Sequence, residues 1–154
     1  MTGEGGLDAH LEPVAELWAT VELERALADR GHHPDEAAAA LVDPHLGARV
    51  AVIPRGDGAD DDAGDGLATA LAEPTTEGRL AASLARNGEG PAGRYLALPD
   101  DQTIDSYRRL AHAAGVALSG VERGPFGPSV LLLGRPVAGP HVIVVERRSV
   151  PSRP

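Results

Sequence analysis

Six histidines and no cysteine set the terms for any chemistry in this sequence. Without thiols there can be no disulfide, thiolate metal site or cysteine nucleophile. His141 is the most informative histidine. It alternates with Ile143 and Val145, so all three share one face of a strand. If that face lines a cleft, His141 could act as a base or a metal ligand. The competing reading is a strand-end histidine near solvent. Glu16 is the best-placed partner for a metal at His141. His32, His33 and His45 flank turns and read as solvated loop residues, and His112 lies on the outer side of a helix. The acidic run Asp57, Asp60, Asp61, Asp62 and Asp65 could attract Ca²⁺. It lacks the spacing and distal Glu of an EF-hand, so a solvated hairpin loop is expected. Gly88, Gly90 and Gly93 precede a strand rather than opening a helix, which leaves no amide cradle for phosphate. Arg94 follows them and could reach an acidic ligand from a cleft wall. Trp18, the sole indole, would stack on a ligand in a cleft and would otherwise fill core.

What these residues can do depends on the elements that carry them. Residues 1–12 are polar and Gly-rich and read as a loose tail. Val14 to Arg30 is ambiguous. Val14, Leu17, Val21 and Leu27 have roughly helical spacing, yet Leu17 to Val21 reads equally well as a strand before a short helix. An Ala-rich helix is expected after His32. Ala48 to Ile53 reads as a strand ended by Pro54, and Leu67 to Ala72 as its hairpin partner across a long polar loop. A helix over Glu77 to Arg86 is opened by Thr75 or Thr76 and stopped by Asn87-Gly88. Tyr95 to Leu98 is a strand. Asp100 or Asp101 caps a helix whose buried face is Ile104, Tyr107, Leu110 and Ala114. Strands follow at Val116 to Glu122, Val130 to Leu133 and Val142 to Val145, and residues 147–154 form a second tail. From Tyr95 onward the order is strand, helix and three strands. The first half fits the same order if Leu17 to Val21 is a strand.

Composition narrows the function classes. The 154 residues fit one domain, which at this size buries roughly 70% of its unfolded surface. Aromatics are only 3%, so Ala, Leu and Val must fill the core and few surfaces remain for stacking bases. The net charge of −9 opposes phosphate backbones and anionic membranes, so neither nucleic acid nor membrane is an expected partner. All 14 basic residues are Arg, which with the abundant Ala, Gly and Pro reads as the codon bias of a GC-rich, bacterial genome. No apolar run reaches the roughly 20 residues of a membrane span, and no signal peptide is visible, so the expected location is the cytoplasm.

From Leu71 to Glu146 the order of motifs resembles the second half of a methylmalonyl-CoA epimerase, within the vicinal oxygen chelate, or glyoxalase-like, superfamily. The matching pieces are Leu71-Ala72-Glu73-Pro74, then Leu84-Ala85-Arg86-Asn87-Gly88-Glu89-Gly90, then Asp100 with Ile104 to Leu110 and Ala114-Gly115-Val116, and finally Arg135-Pro136 through Gly139 to Val145. The first half matches at Val21 to Leu27 and Gly47 to Ile53. The resemblance implies an α+β fold of two βαβββ modules, residues 13–72 and 73–146, forming a curved mixed sheet around a cleft. It also implies one divalent metal held by His, Gln, His and Glu, which stabilises an enolate beside a thioester. At those positions this sequence has Glu16 or a neighbour, Ala70, Pro91-Ala92, and Ile143 or Val145.

The expected protein is therefore a glyoxalase-like fold without the metal site and without a cofactor. Its expected role is to bind a small molecule in the cleft without turnover, through Trp18, Arg94 and His141. Glu16 and His141 are the candidate ligands should a metal be held, and the resemblance implies a homodimer. A lyase or isomerase is the alternative and requires at least two of Glu16, Glu73, Arg94 and His141 to converge. A structural or partner-binding protein with a filled cleft is the third possibility.

Overall fold

The computed structural model describes residues 11–54, 67–134 and 140–146. The acidic run at 55–66, the Arg135-Pro136 to Gly139 stretch and the tails at 1–10 and 147–154 lie outside them. The strands are β1 (Glu12–Ala19), β2 (Leu41–Asp43), β3 (Ala48–Ile53), β4 (Ala68–Pro74), β5 (Gly90–Ala97), β6 (Glu122–Gly124), β7 (Gly127–Leu131) and β8 (His141–Val145). The helices are α1 (Leu23–Asp29), α2 (Arg79–Asn87) and α3 (Ile104–Ala113).

All eight strands join one mixed, curved sheet in the order β2-β3-β4-β1-β5-β8-β7-β6. The order repeats. β1 is parallel to β4 and β5 to β8, with α1 and α3 as the matching helices. The antiparallel β1–β5 pair joins the halves, and α2 connects them along the chain. These are the two βαβββ units that the sequence order implied. The far edges, β2 and β6, touch, so the sheet curls until it nearly closes.

The ambiguous segment resolves into strand, then helix. Ala15, Leu17 and Ala19 are buried while Glu16 is exposed, a period of two that a helix could not satisfy. Its helical part, α1, starts only at Leu23. The Ala-rich segment is a 3₁₀ turn over Pro34–Ala39, not an α-helix; His33 Nδ1 accepts from the Asp35 amide at 3.1 Å. α2 begins at Arg79 behind Gly78, with no side-chain cap. Thr75 instead donates its hydroxyl to the Gly47 carbonyl at 3.2 Å, so the expected threonine cap is spent on a loop. The expected stop holds, since Gly88 has φ of 76°.

In α3 the cap is Thr103, whose Oγ1 accepts from the Ser106 amide at 3.1 Å, and not Asp100 or Asp101. Glu146 adds a carboxylate to that end, accepting from the Ile104 amide at 2.8 Å. The buried face is Ile104, Tyr107 and Ala111. Leu110, expected inside, is 53% exposed, because the face set by positions 104, 107 and 111 turns it toward solvent. The expected strand from Val116 to Glu122 forms only a single bridge, Leu118 to Leu132, before β6.

Three cores follow from the curvature. The inner one is built of Ala15, Leu17 and Ala19, with Ala70, Ala72, Tyr95, Ile143 and Val145 facing them, and Leu80 of α2 added. On the outer side α1 covers Ala51 and Leu71, and α3 covers Val130 and Val144. No described helix is long and apolar enough to cross a membrane.

Candidate functional site

Strand alternation decides what faces the inside of the curl. The inward side chains of the four central strands are Leu17 on β1, Ala70 on β4, Ala92 on β5 and Ile143 on β8, and none exceeds 4% exposure. A divalent metal needs three or four nitrogen or oxygen donors at one point. These aliphatic groups supply no donor, so the residues present do not fit the metal that the resemblance implies. Among the described residues no three His, Asp or Glu side chains gather as a metal-binding group.

The residues singled out in the sequence separate onto two faces. Glu16 lies between inward Ala15 and Leu17, so it points outward and is exposed. It sits in register with Arg94 of β5, also exposed. Trp18 shares that outer side and packs beside α1, with the Arg30 guanidinium 4.9 Å from its ring centroid. His141 is 2% exposed and its Nε2 has no hydrogen-bond partner. Burial lowers its pKa from the usual 6.5, and the Arg79 charge adds to the effect. Arg94 and His141 nevertheless line one groove of about 540 Å³ together with Glu16, whereas Trp18 packs against α1 instead. Glu16 and His141 thus border the same groove, although the His141 ring is itself buried. Glu73 is committed elsewhere. It accepts from Arg49, which also reaches Glu24, and from the Leu23 amide at the start of α1. Of the four residues that a lyase or isomerase would bring together, Glu16, Arg94 and His141 line one groove, while Glu73 lies elsewhere.

A buried polar cluster was not foreseen. Asp43 ends β2 with no exposure; its Oδ2 accepts from the Tyr95 hydroxyl at 2.6 Å and its Oδ1 from the His45 amide at 3.0 Å. Burial raises the Asp43 pKa against those hydrogen bonds and pushes the Tyr95 hydroxyl well above 10.0. His45, expected in a solvated loop, is only 9% exposed. Its Nε2 lies 3.2 Å from the Ser129 carbonyl and 3.1 Å from Ser129 Oγ, and Ser119 Oγ lies 3.3 Å from Nδ1. Ser129 Oγ donates to the Glu122 carbonyl, so Nε2 faces two acceptors and carries the ring proton. The cluster ties β2 of the first unit to β5, β6 and β7 of the second. The available signal was Tyr95 itself, since an inward tyrosine on a strand requires a partner for its hydroxyl.

A groove of about 350 Å³ opens at the rim, where residues of the inner core (Val50, Phe126) and of the outer side (Leu27, Ala51) meet. Leu41, Val50 and Val52 line one wall, Pro125 and Phe126 of the β6–β7 turn the other, and Leu27 closes one end. Leu41 and Val52 are 55% and 38% exposed, so large apolar side chains already face water there.

Neither a protein-family model nor a curated protein sequence matches the chain. Solved structures do. A variant of Streptomyces coelicolor methylmalonyl-CoA epimerase in complex with 2-nitronate-propionyl-CoA aligns over 93% of this chain and 99% of its own, with 21% identity and a TM-score of 0.66. A methylmalonyl-CoA epimerase in complex with methylmalonyl-CoA and NH4+ aligns over 94% and 99%, with 22% identity and a TM-score of 0.68. The methylmalonyl-CoA epimerase of Mycobacterium tuberculosis aligns over 92% and 89%, with 19% identity and a TM-score of 0.62. At this identity the likeness establishes the fold, which is that of the glyoxalase-like epimerases, and not the activity.

Proposed function

We propose that this protein keeps the glyoxalase-like scaffold without its metal chemistry and binds a small, largely apolar molecule without turning it over. The observation that carries the reading is the donor-free set Leu17, Ala70, Ala92 and Ile143 where the central strands converge. Those four side chains offer an enolate formed there no cation and no hydrogen-bond donor. The rim groove, rather than the filled interior, is the place for the ligand. Its volume and apolar walls suit a short acyl chain or similar group. The similar epimerases carry acyl-CoA compounds in their crystals, which makes acyl thioesters the first class to try. A cytoplasmic location and a homodimer belong to the same reading.

Two measurements on tag-free protein test it. Metal content after growth with Mn, Fe, Co, Ni and Zn should be far below one equivalent. Short-chain acyl-CoA thioesters should raise the melting temperature without epimerisation, and Val52→Asp should abolish that rise. Stoichiometric metal, or turnover of a thioester, would overturn the proposal. Light scattering on the same sample tests the dimer. A second reading, a partner-binding protein with a filled cleft, is favoured by the exposure of Leu41 and Val42 on the edge strand β2 and of Val52 on its neighbour β3. Absence of any thermal response to acyl compounds would select it.

A further inference from the structure

A groove of about 650 Å³ runs between α3 and the segment Val116–Leu118, well away from the rim groove. Its α3 wall carries Arg108, Arg109 and His112, all exposed, and a single carboxylate, Asp105. Positions 105, 108 and 112 recur on one helical face, and Arg109 sits beside them. Among the described residues neither Arg108 nor Arg109 is in ion-pair contact with a carboxylate. Arg25 is paired with Glu89, and Arg49 with Glu24 and Glu73.

The internal repeat supplies a comparison. α1 holds the equivalent place in the first unit, and outside its buried positions it carries two acids, Glu24 and Asp29, and one Arg, which is neutralised by Glu89. The fold therefore does not require exposed cations on this helix. α3 is anchored by Ile104, Tyr107 and Ala111, and the two arginines play no part in that packing. Adjacent guanidinium groups repel each other mildly, and a dianion lying between them relieves the repulsion while accepting several N–H bonds in a matching planar geometry. The groove volume is that of a small-molecule site rather than of a flat face for a polymer. The overall negative charge also disfavours a polyanion.

We propose that the α3 groove binds a soluble, phosphate-bearing small molecule, with Arg108 and Arg109 on the phosphate oxygens and His112 as a further donor. Asp105 is placed to accept from a hydroxyl of the same ligand. The test is an amide-resolved NMR titration of the full chain with sodium pyrophosphate at fixed ionic strength. Saturable shifts are expected in α3 and in residues 116–118. The double variant Arg108→Ala, Arg109→Ala should weaken binding at least about tenfold. Arg86→Ala, an exposed arginine on another helix, should leave it unchanged. Both substituted sites are exposed and Ala favours helix, so unchanged far-UV dichroism is expected and confirms that the fold is intact. No saturable response at millimolar pyrophosphate overturns the proposal. So does equal binding by the double variant, shifts that map elsewhere, or binding to anionic lipid vesicles alone. These outcomes do not depend on the rim groove, so failure of the apolar-ligand reading leaves the proposal standing.

Discussion

Burying the His141 imidazole with Nε2 unpaired denies that atom the hydrogen bond that water gives it in the unfolded chain. Its pKa is lowered in the fold, so between that lowered value and 6.5 the unfolded chain holds more protons. The stability tied to this group is complete above 6.5 and is lost as pH falls through the folded value. Asp43 acts in the opposite sense. Burial raises its pKa above 3.8, so the folded chain holds the extra proton, and its contribution is largest below 3.8 and lost as pH rises through the folded value. The two can be separated by mutation. His141→Leu should flatten the loss of stability below pH 6.5, while at neutral pH the gain from removing the unpaired Nε2 is offset by loss of the ring's hydrogen bond to the Arg79 backbone. A loss of stability at both pH values would show instead that the ring makes an essential polar contact. The strand parity that puts His141 on the face of Ile143 and Val145 was legible in the sequence. Which side of the sheet that face meets was not, because it depends on the curl of all eight strands.

At the scale of elements, the sequence located regular structure well and its termini less well. β3 runs over Ala48–Ile53, as read from its alternation and the proline that follows. The caps of α2 and α3 were misplaced because several Thr and Asp residues near each start have competing loop partners, and only the folded backbone shows which of them reaches a free amide. β5 was seen from Tyr95 alone, while it begins at Gly90. Gly88 stops α2 as expected, while Gly90 and Gly93 are part of the β5 pairing. Gly90 and Gly93 both adopt positive φ, 145° and 149°. A Cβ at Gly90 would meet nothing within 4 Å, whereas one at Gly93 would lie 2.0 Å from the His141 carbonyl oxygen. Gly90→Ala should therefore cost only backbone strain, about 1–2 kcal/mol, and Gly93→Ala about 3 kcal/mol or more, with loss of β5–β8 amide protection. Equal costs at the two sites would show that the close approach of β8 is not what requires glycine at 93.

At the scale of the molecule, two repeated units are joined by different means at the middle of the sheet and where its two edges meet. The β1–β5 pair joins them through backbone hydrogen bonds, which the alternation in each strand makes predictable. The other junction, where β2 meets β6, depends on side chains distant in sequence. Asp43 and Tyr95 lie 52 residues apart, and His45 and Ser129 lie 84 apart. No local pattern announces such pairs, which is why His45 read as a loop residue and the polar cluster escaped notice. Phe126 completes this seam: it is 6% exposed, and its ring lies 4.9 Å from Tyr95 at an angle of 56°. Removing it tests whether the seam couples the units or merely covers them. Phe126→Ala should cost about 3 kcal/mol, since the ring fills a nearly closed space between both halves. If the seam couples the units, amide exchange in β2 should accelerate together with that in β6, although β2 belongs to the other half. The unfolding transition should stay single, because loosening one edge exposes the inner core that both units share. If acceleration is confined to the β6–β7 turn, closure of the sheet is a consequence of the two folded units and contributes little to holding them together.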